Sequence, residues 1–361
     1  MDVEVVRRDL ATARLVPGRP LPDEPPAGTA LARIESFALT ANNVTYAVTG
    51  DLLGYWRFFP AADERYGRVP VWGHAEIVAS SCPGVEVGGR CYGFWPTSSH
   101  LLLAPVDIGP GGFVDGTAHR ADLPDVYNRY ERAADRNDVD PDGEARAALW
   151  RPLFTTSFLL DDWIGSAADG DTGDPIVISC ASSKTALGLA HLLRAHGRGE
   201  VVGLTSAGHV EFCGRTGVYD RVVAYDELPE GLGAGPATYV DIAGNPTVTA
   251  AVHRHLGDRL RRSVRVGFTH HDAPPPSGSG NSRPGPAPEM FFAPDHVRRR
   301  LADWGGPGFA ERLAAARNGF ESGPAAAITL ERINGADGVL STWRQLVAGT
   351  ADPRLGFVCS F

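Results

Sequence analysis

The chain has 361 residues, 43% of them hydrophobic, which is enough to bury a large core and form two domains and excludes a fibre or a disordered tail. Its formal charge of −9 at pH 7 disfavours nucleic acid and anionic membranes as partners, and no apolar run approaches the roughly 20 residues that span a bilayer. Five scattered cysteines without a C-x-x-C pair read as free thiols in a reducing compartment, and the charged start Met1-Asp-Val-Glu-Val-Val-Arg-Arg8 has no signal-peptide core, so a cytoplasmic location is expected.

In chain order, residues 1–110 read as β-rich. Ala30-Leu-Ala-Arg-Ile-Glu-Ser-Phe-Ala-Leu39 alternates like a half-buried strand, Ala75-Glu-Ile-Val-Ala79 reads as another, and Gly88-Gly-Arg-Cys-Tyr-Gly93 marks a turn entering a third. The prolines and glycines between them suit a compact barrel of short strands. Between 113 and 150 the charge density rises through Tyr127-Asn-Arg-Tyr-Glu-Arg132, followed by a helical run over 143–150. This stretch reads as an insertion, a lid or a dimer contact, so a homodimer is one expectation. Arg151-Pro-Leu-Phe-Thr-Thr-Ser-Phe-Leu-Leu-Asp-Asp-Trp163 then forms an amphipathic helix.

The stretch 175–206 organises the rest. Ile176-Val-Ile178 is a β-branched run with no polar face, as in a parallel strand covered on both sides. After a loop of small residues, Leu187, Leu189, Ala190, Leu192 and Leu193 take helical spacing until Gly197 stops the helix. Glu200-Val-Val-Gly-Leu-Thr-Ser206 supplies a second strand, which closes a βαβ unit of about thirty residues. A dinucleotide loop normally reads G-x-G-x-x-G; here Ser179, Ala181, Ser182 and Ser183 stand in it, with Gly188 the only glycine nearby. Small residues still fit a close turn, and the hydroxyls together with the Lys184 charge offer contacts to phosphate. Ser183-Lys-Thr185 also matches the tail of a P-loop, but that pattern needs glycines where the chain has Ile178 and Ser183, and it is rejected. A βαβ unit that binds nothing is the alternative.

Beyond Ser206, Arg221-Val-Val-Ala-Tyr225, Thr238-Tyr-Val-Asp-Ile242 and Ser263-Val-Arg-Val-Gly-Phe268 are three further apolar strands, so an open, doubly wound parallel sheet is expected over 175–268. The proline-rich run 274–286 cannot pack a core and is expected as a mobile loop. Helices are expected near 295–304 and 309–320, then a strand over 328–332, a helix over 338–347 and a closing Gly356-Phe-Val-Cys-Ser360.

Pro70-Val-Trp-Gly-His-Ala-Glu-Ile-Val78, Val87-Gly-Gly-Arg-Cys-Tyr-Gly93, the βαβ unit, Asp241-Ile-Ala-Gly-Asn245 and the closing Gly356-Phe-Val together resemble the medium-chain dehydrogenase/reductase superfamily. The likeness is to its zinc-independent, quinone-oxidoreductase-like side, in an uncharacterised bacterial branch of the domain-of-unknown-function kind. It implies an α/β fold: a Rossmann-type doubly wound parallel sheet over 151–310, plus a β-rich GroES-like domain formed by 1–150 and 311–361, with the cofactor in the cleft between them. Gly73-His-Ala-Glu76 is similar to the G-H-E motif of zinc-dependent members. The cysteine partner such a zinc needs is replaced by Ala38-Leu-Thr-Ala-Asn-Asn43, and the four-cysteine structural lobe is absent. No metal is therefore expected, and His74 reads as a hydrogen-bonded turn histidine.

The nicotinamide cofactor is read at the end of the second strand, where an NAD enzyme places a carboxylate on the ribose hydroxyls. Leu204-Thr-Ser-Ala-Gly208 has none; Thr205, Ser206 and Arg215 could bind a 2′-phosphate, with His209 nearby, so NADP(H) is expected. Its other contacts are expected from Ser179, Ala181, Ser182, Ser183, Lys184 and Thr185 at the pyrophosphate and from Gly244 in the D-x-x-G segment; an Arg215 that merely faces water is the alternative. By position, Asn42, Asn43 and Tyr46 resemble the family's substrate-side polar residues, and Thr155 and Thr156 its threonine near the nicotinamide carboxamide. Tyr46 and Tyr55, the latter in the aromatic patch Tyr55-Trp-Arg-Phe-Phe59, are the candidate proton donors for a hydride transfer, and each can equally be core. The resemblance thus implies an NADPH-dependent reductase of a conjugated carbonyl, enone or quinone small molecule, with a redox-inactive NADPH-binding or scaffold protein on the same fold as the alternative.

Overall fold

The computed structural model of the protein describes residues 1–18, 24–166, 173–268 and 284–361. All but the last three residues of the proline-rich run 274–286 lie outside the described residues. The chain divides into two compact units, 153–329 and 1–152 with 330–361.

In the unit 153–329 the described strands form one parallel sheet in the order Arg221–Ala224, Val201–Thr205, Ile176–Ile178, Ala237–Asp241, Leu260–Arg265, Glu289–Met290. Numbered along the chain this is 3-2-1-4-5-6, the doubly wound order of dinucleotide-binding sheets, with its switch point between the strands that end at Ile178 and Asp241. Val177, Val202, Leu204 and Tyr239 are at most 1% exposed, which is why the strands show apolar runs rather than alternation. The fifth strand begins three residues before the expected Ser263, because Leu260 is buried and opens it ahead of the polar pair Arg261-Arg262. The sixth strand, Glu289–Met290, is two exposed residues long and carries no pattern to read.

The helix Lys184–Ala195 is capped by Ser183, whose Oγ accepts from the Ala186 amide at 3.2 Å, and it is closed by Gly197 at φ 65°. Gly188 lets it approach the preceding helix, since a Cβ there would stand 2.8 Å from Ser157 Oγ. Ser157 in turn donates to the Thr185 carbonyl at 2.8 Å. The two helices expected near 295–304 and 309–320 form one element, Ala293–Glu321, broken at Gly305, where φ is 69°.

In the other unit the long sheet runs Thr329–Asn334, Leu355–Ser360, Ala30–Leu39, Pro70–Ser80, Arg90–Pro96, Arg129–Arg132, Gly112–Asp115, Pro105–Gly109, and His100–Leu103 also pairs with Ala30–Leu39. The chain's last strand lies antiparallel to Ala30–Leu39, pairing Phe357 with Leu39. Gly73 and Gly93 oppose each other on neighbouring strands, where a Cβ on Gly93 would lie 2.4 Å from the Tyr130 ring. The stretch 113–150, expected as a lid or dimer contact, extends the sheet through Gly112–Asp115 and Arg129–Arg132. Several of its charges pair within the unit: Arg120 with Asp115 at 2.8 Å and Arg136 with Glu35 at 2.6 Å. Arg90 donates to Glu35 at 2.8 Å and to Glu144 at 2.7 and 2.8 Å, tying the sheet to the helix Pro141–Gly165.

Candidate functional site

The chemistry-bearing residues fall into two groups, one in each unit. The first is the loop at the switch point. Cys180 adopts φ 53°, a left-handed turn of the kind glycine makes without cost in a glycine-rich loop. The turn is held on every side: the Cys180 amide donates to the Tyr225 hydroxyl at 2.8 Å, the Ala181 amide to the Leu204 carbonyl at 2.9 Å, and the Tyr219 hydroxyl to the Ala181 carbonyl at 2.7 Å. Burial pushes the thiols of Cys180 and Cys213 up to about 11 and about 12, so neither is an activated nucleophile.

Asp241, 2% exposed, is the hub. Its Oδ1 accepts from Ser179 Oγ and from the Gly244 amide, both at 2.9 Å, and its Oδ2 accepts from Thr249 Oγ1 at 2.7 Å. Ser179 Oγ itself accepts from the Ile242 amide at 2.9 Å, so the ends of the first and fourth strands are stitched together where a dinucleotide fold opens its crevice. Gly244 sits at φ 70°, and a Cβ there would lie 2.6 Å from the Gly267 carbonyl oxygen, so no other residue fits.

Against this geometry the expected cofactor contacts separate. Ser179 and Ala181, at 1% and 0% exposure, shape the loop and have no side chain turned outward. Thr205, at 1%, lies against the Cys213 thiol, so its hydroxyl is not offered to a phosphate as expected. Every residue of a doubly covered strand points into one of two interiors, and position 205 is still inside. Arg215 is exposed and paired with Glu211 at 2.7 Å, one turn earlier on its short helix. Partly or fully accessible are Ser183, Lys184, Ser206 and His209; the last shares a 3.2 Å hydrogen bond between its Nδ1 and Ser182 Oγ. Thr185 is 9% exposed, and Thr155 and Thr156 are half-buried beside Ser157, which anchors their helix to the Thr185 carbonyl. Tyr219, Tyr225 and Asp241's role as hub were not singled out from the sequence.

The second group lies in the unit 1–152 with 330–361. Asn43 is a capping residue rather than a substrate contact: its Oδ1 accepts from the Thr40 amide at 2.7 Å and its Nδ2 donates to the Pro70 carbonyl at 2.8 Å, which uses its amide at 3% exposure. Asn42 is half-buried and contacts the Tyr46 hydroxyl. Tyr46 and Tyr55 stand with ring centroids 4.5 Å apart, the Tyr55 hydroxyl is 2.9 Å from that of Tyr127, and Trp72 Nε1 donates to Tyr46 at 3.4 Å. Burial raises all three phenols above their ordinary range, so they are neutral hydrogen-bond donors.

His74 is not in a turn. It sits mid-strand in Pro70–Ser80, opposite Tyr92, 4% exposed, with no hydrogen-bond partner at Nδ1 and with Nε2 4.0 Å from Glu144. Among the described residues no three His, Cys, Asp or Glu side chains gather as a metal site. Burial pulls the imidazole down to about 4 from 6.5. Between those values the unfolded chain binds a proton that the folded chain refuses, so stability falls as pH drops through that window, by about 3 kcal/mol in full. Glu144, also lowered, acts in the same sense. Urea unfolding of wild type and His74→Asn at pH 7 and 4.5 checks this: the wild type should lose clearly more stability on acidification, and equal losses would contradict it.

Among described residues no helix is long and apolar enough to cross a membrane. Three solved structures share the fold over nearly the whole chain. CurA from Vibrio vulnificus, crystallised with NADPH, is 14% identical over 99% of this chain and 98% of its own, with a TM-score of 0.66. The CurK enoyl reductase is 14% identical over the same shares at 0.55, and Etr1p in complex with NADP and crotonyl-CoA is 9% identical over 100% of both chains at 0.56. They support the architecture of a Rossmann-type sheet joined to a β-rich domain. No curated protein matches the sequence. Residues 37–352 match the family described as "Protein of unknown function (DUF2855)", and the chain belongs to that family.

Proposed function

We propose that this protein is an NADPH-dependent reductase of a conjugated carbonyl, enone or quinone, on the zinc-independent, quinone-oxidoreductase-like side of the medium-chain dehydrogenase/reductases. The observation that carries the reading is the 3-2-1-4-5-6 sheet with its switch point closed by Ser179 and Asp241, beside a second strand whose end bears no ribose-binding carboxylate. Ser183 and Lys184 would face the pyrophosphate, and Ser206 with His209 the 2′-phosphate. Bound there, the dihydronicotinamide supplies a hydride to an electron-poor carbon. Tyr46 and Tyr55 are the candidate proton donors for such a transfer, and burial holds both phenols neutral. Support comes from the NADPH of CurA and from the NADP and crotonyl-CoA of Etr1p.

One observation favours a second reading, a redox-inactive NADPH-binding or scaffold protein. The amides of Cys180 and Ala181 and the hydroxyl of Ser182 are already engaged within the loop, where a phosphate loop would turn such groups to its ligand. NADPH oxidation over a panel of enones and quinones separates the two, since binding without turnover supports the second. Ser206→Asp tests the cofactor choice. A carboxylate at this exposed position should weaken NADPH by about tenfold or more through repulsion while sparing NADH; an equal effect on both would refute the assignment.

A further inference from the structure

Cys180 holds a left-handed φ of 53° in a loop that dinucleotide folds fill with glycine, so its surroundings must hold a turn that glycine adopts freely. The backbone on either side is tied to neighbouring strands: the Ser179 amide donates to the Val240 carbonyl and the Ala181 amide to the Leu204 carbonyl, both at 2.9 Å. The Ser183 amide closes the turn on the Cys180 carbonyl at 2.8 Å. The Cys180 amide, at the left-handed residue itself, donates to a side chain, the Tyr225 hydroxyl, at 2.8 Å. We propose that Tyr225 is a positioning residue whose hydroxyl holds the Cys180 turn in its cofactor-ready shape and so stands in for the missing loop glycine, an inference that rests on the dinucleotide reading above.

Every residue in this arrangement belongs to the unit 153–329. Tyr225 follows directly on the strand Arg221–Ala224, and its ring packs against the buried cluster that includes Val202, Leu204 and Val223, so the hydroxyl is presented from a fixed base. Burial pushes the phenol well above its ordinary range, which keeps it neutral whenever the amide needs an acceptor. Tyr219 holds the next residue from its carbonyl side, donating to Ala181 at 2.7 Å. Gly203 leaves room for both, since a Cβ there would stand 2.9 Å from the Ala181 Cβ and from the Tyr219 ring. Tyr225→Phe keeps the ring and its packing and removes only the acceptor. The strained φ then relaxes in the free chain, and a dinucleotide must restore it on binding, which lowers affinity by the fraction of chains left in the competent turn. Glycine at position 180 has no such strain to release, so Cys180→Gly makes the hydroxyl dispensable. A tyrosine that merely stabilised the domain would show no such dependence on the residue at 180.

The test uses the whole chain and two readouts, one of them independent of any cofactor. Hydrogen exchange of the Ala181 amide, followed by NMR without ligand, reports the loop directly: Tyr225→Phe should exchange about tenfold or more faster than wild type. Calorimetric titration with NADPH should show Tyr225→Phe binding about tenfold more weakly, equivalent to about 1.4 kcal/mol. Adding Cys180→Gly to Tyr225→Phe should recover most of both losses, whereas adding Cys180→Ala, which keeps the Cβ and its strain, should recover neither. Thermal melts confirm that the variants are folded. Unchanged exchange in folded Tyr225→Phe, no recovery with glycine at 180, or equal recovery with alanine would overturn the proposal. So would tighter NADPH binding by Tyr225→Phe, which would make the hydroxyl a plug on the Cys180 amide. Glycine-specific recovery of exchange in proteins that all fail to bind NADPH would instead overturn the dinucleotide reading and leave the Tyr225 prop supported.

Discussion

Asp241→Ala is expected to destabilise the unit 153–329 by about 2–5 kcal/mol, because it removes the acceptor that buried neutral donors share. The carboxylate is 2% exposed and serves three donors: the Ser179 hydroxyl, the Thr249 hydroxyl and the Gly244 amide. Thr249 Oγ1 keeps its bond to the Asn245 carbonyl at 2.9 Å, but alanine leaves the Ser179 hydroxyl and the Gly244 amide without their acceptor, and each unpaired buried group costs about 1–3 kcal/mol. The switch point should loosen with it, so cofactor binding should weaken in parallel. Asp241→Asn keeps an acceptor at one oxygen but turns an N–H toward donors at the other, and it should lie between the two. Urea unfolding followed by fluorescence measures the change, and a loss below about 1 kcal/mol would show that the hub is dispensable.

Lys184→Ala is expected to weaken NADPH binding by about ten- to a hundredfold. Lys184 opens the helix Lys184–Ala195 directly after its Ser183 cap, where a charge-assisted contact to a pyrophosphate oxygen is worth about 1.5–3 kcal/mol and each 1.4 kcal/mol is a factor of ten. The helix end favours the anion as well. Ser183→Ala, by contrast, should cost about 1 kcal/mol of stability through loss of its bond from the Ala186 amide. Calorimetric titration of both variants separates the two effects. If Lys184→Ala binds NADPH as wild type does, the loop has no phosphate role.

What was legible in the sequence follows from burial. The first four parallel strands were readable because each carries a run of buried apolar residues, such as Val201-Val202 and Tyr239-Val240, and Gly197 marked a helix end that needs a positive φ. Glu289–Met290, short and exposed, had no such signal, and Arg261-Arg262 disguised the start of the strand before it. The sheet strands within 113–150 hid behind charges that pair with one another and with Arg90 and Arg151. At the site, residue type was readable and direction was not. Thr205 and Ser206 are neighbours of like chemistry, and one is buried while the other is exposed. Asn43 turned inward because Thr40 needed a capping partner three residues on, a pattern the sequence does carry in Thr40-Ala-Asn-Asn43. The left-handed Cys180 and the meeting of Tyr127 with Tyr55, 72 residues apart, are tertiary facts with no local signature.

The central claim is that the switch-point loop holds a phosphorylated nicotinamide dinucleotide. Titrating the wild-type chain with NADPH and, separately, with NADH by calorimetry tests it most directly. One NADPH should bind per chain, at least about tenfold more tightly than NADH, reflecting one charge-assisted 2′-phosphate contact. Binding of neither dinucleotide, or equal affinity for both, would contradict the account.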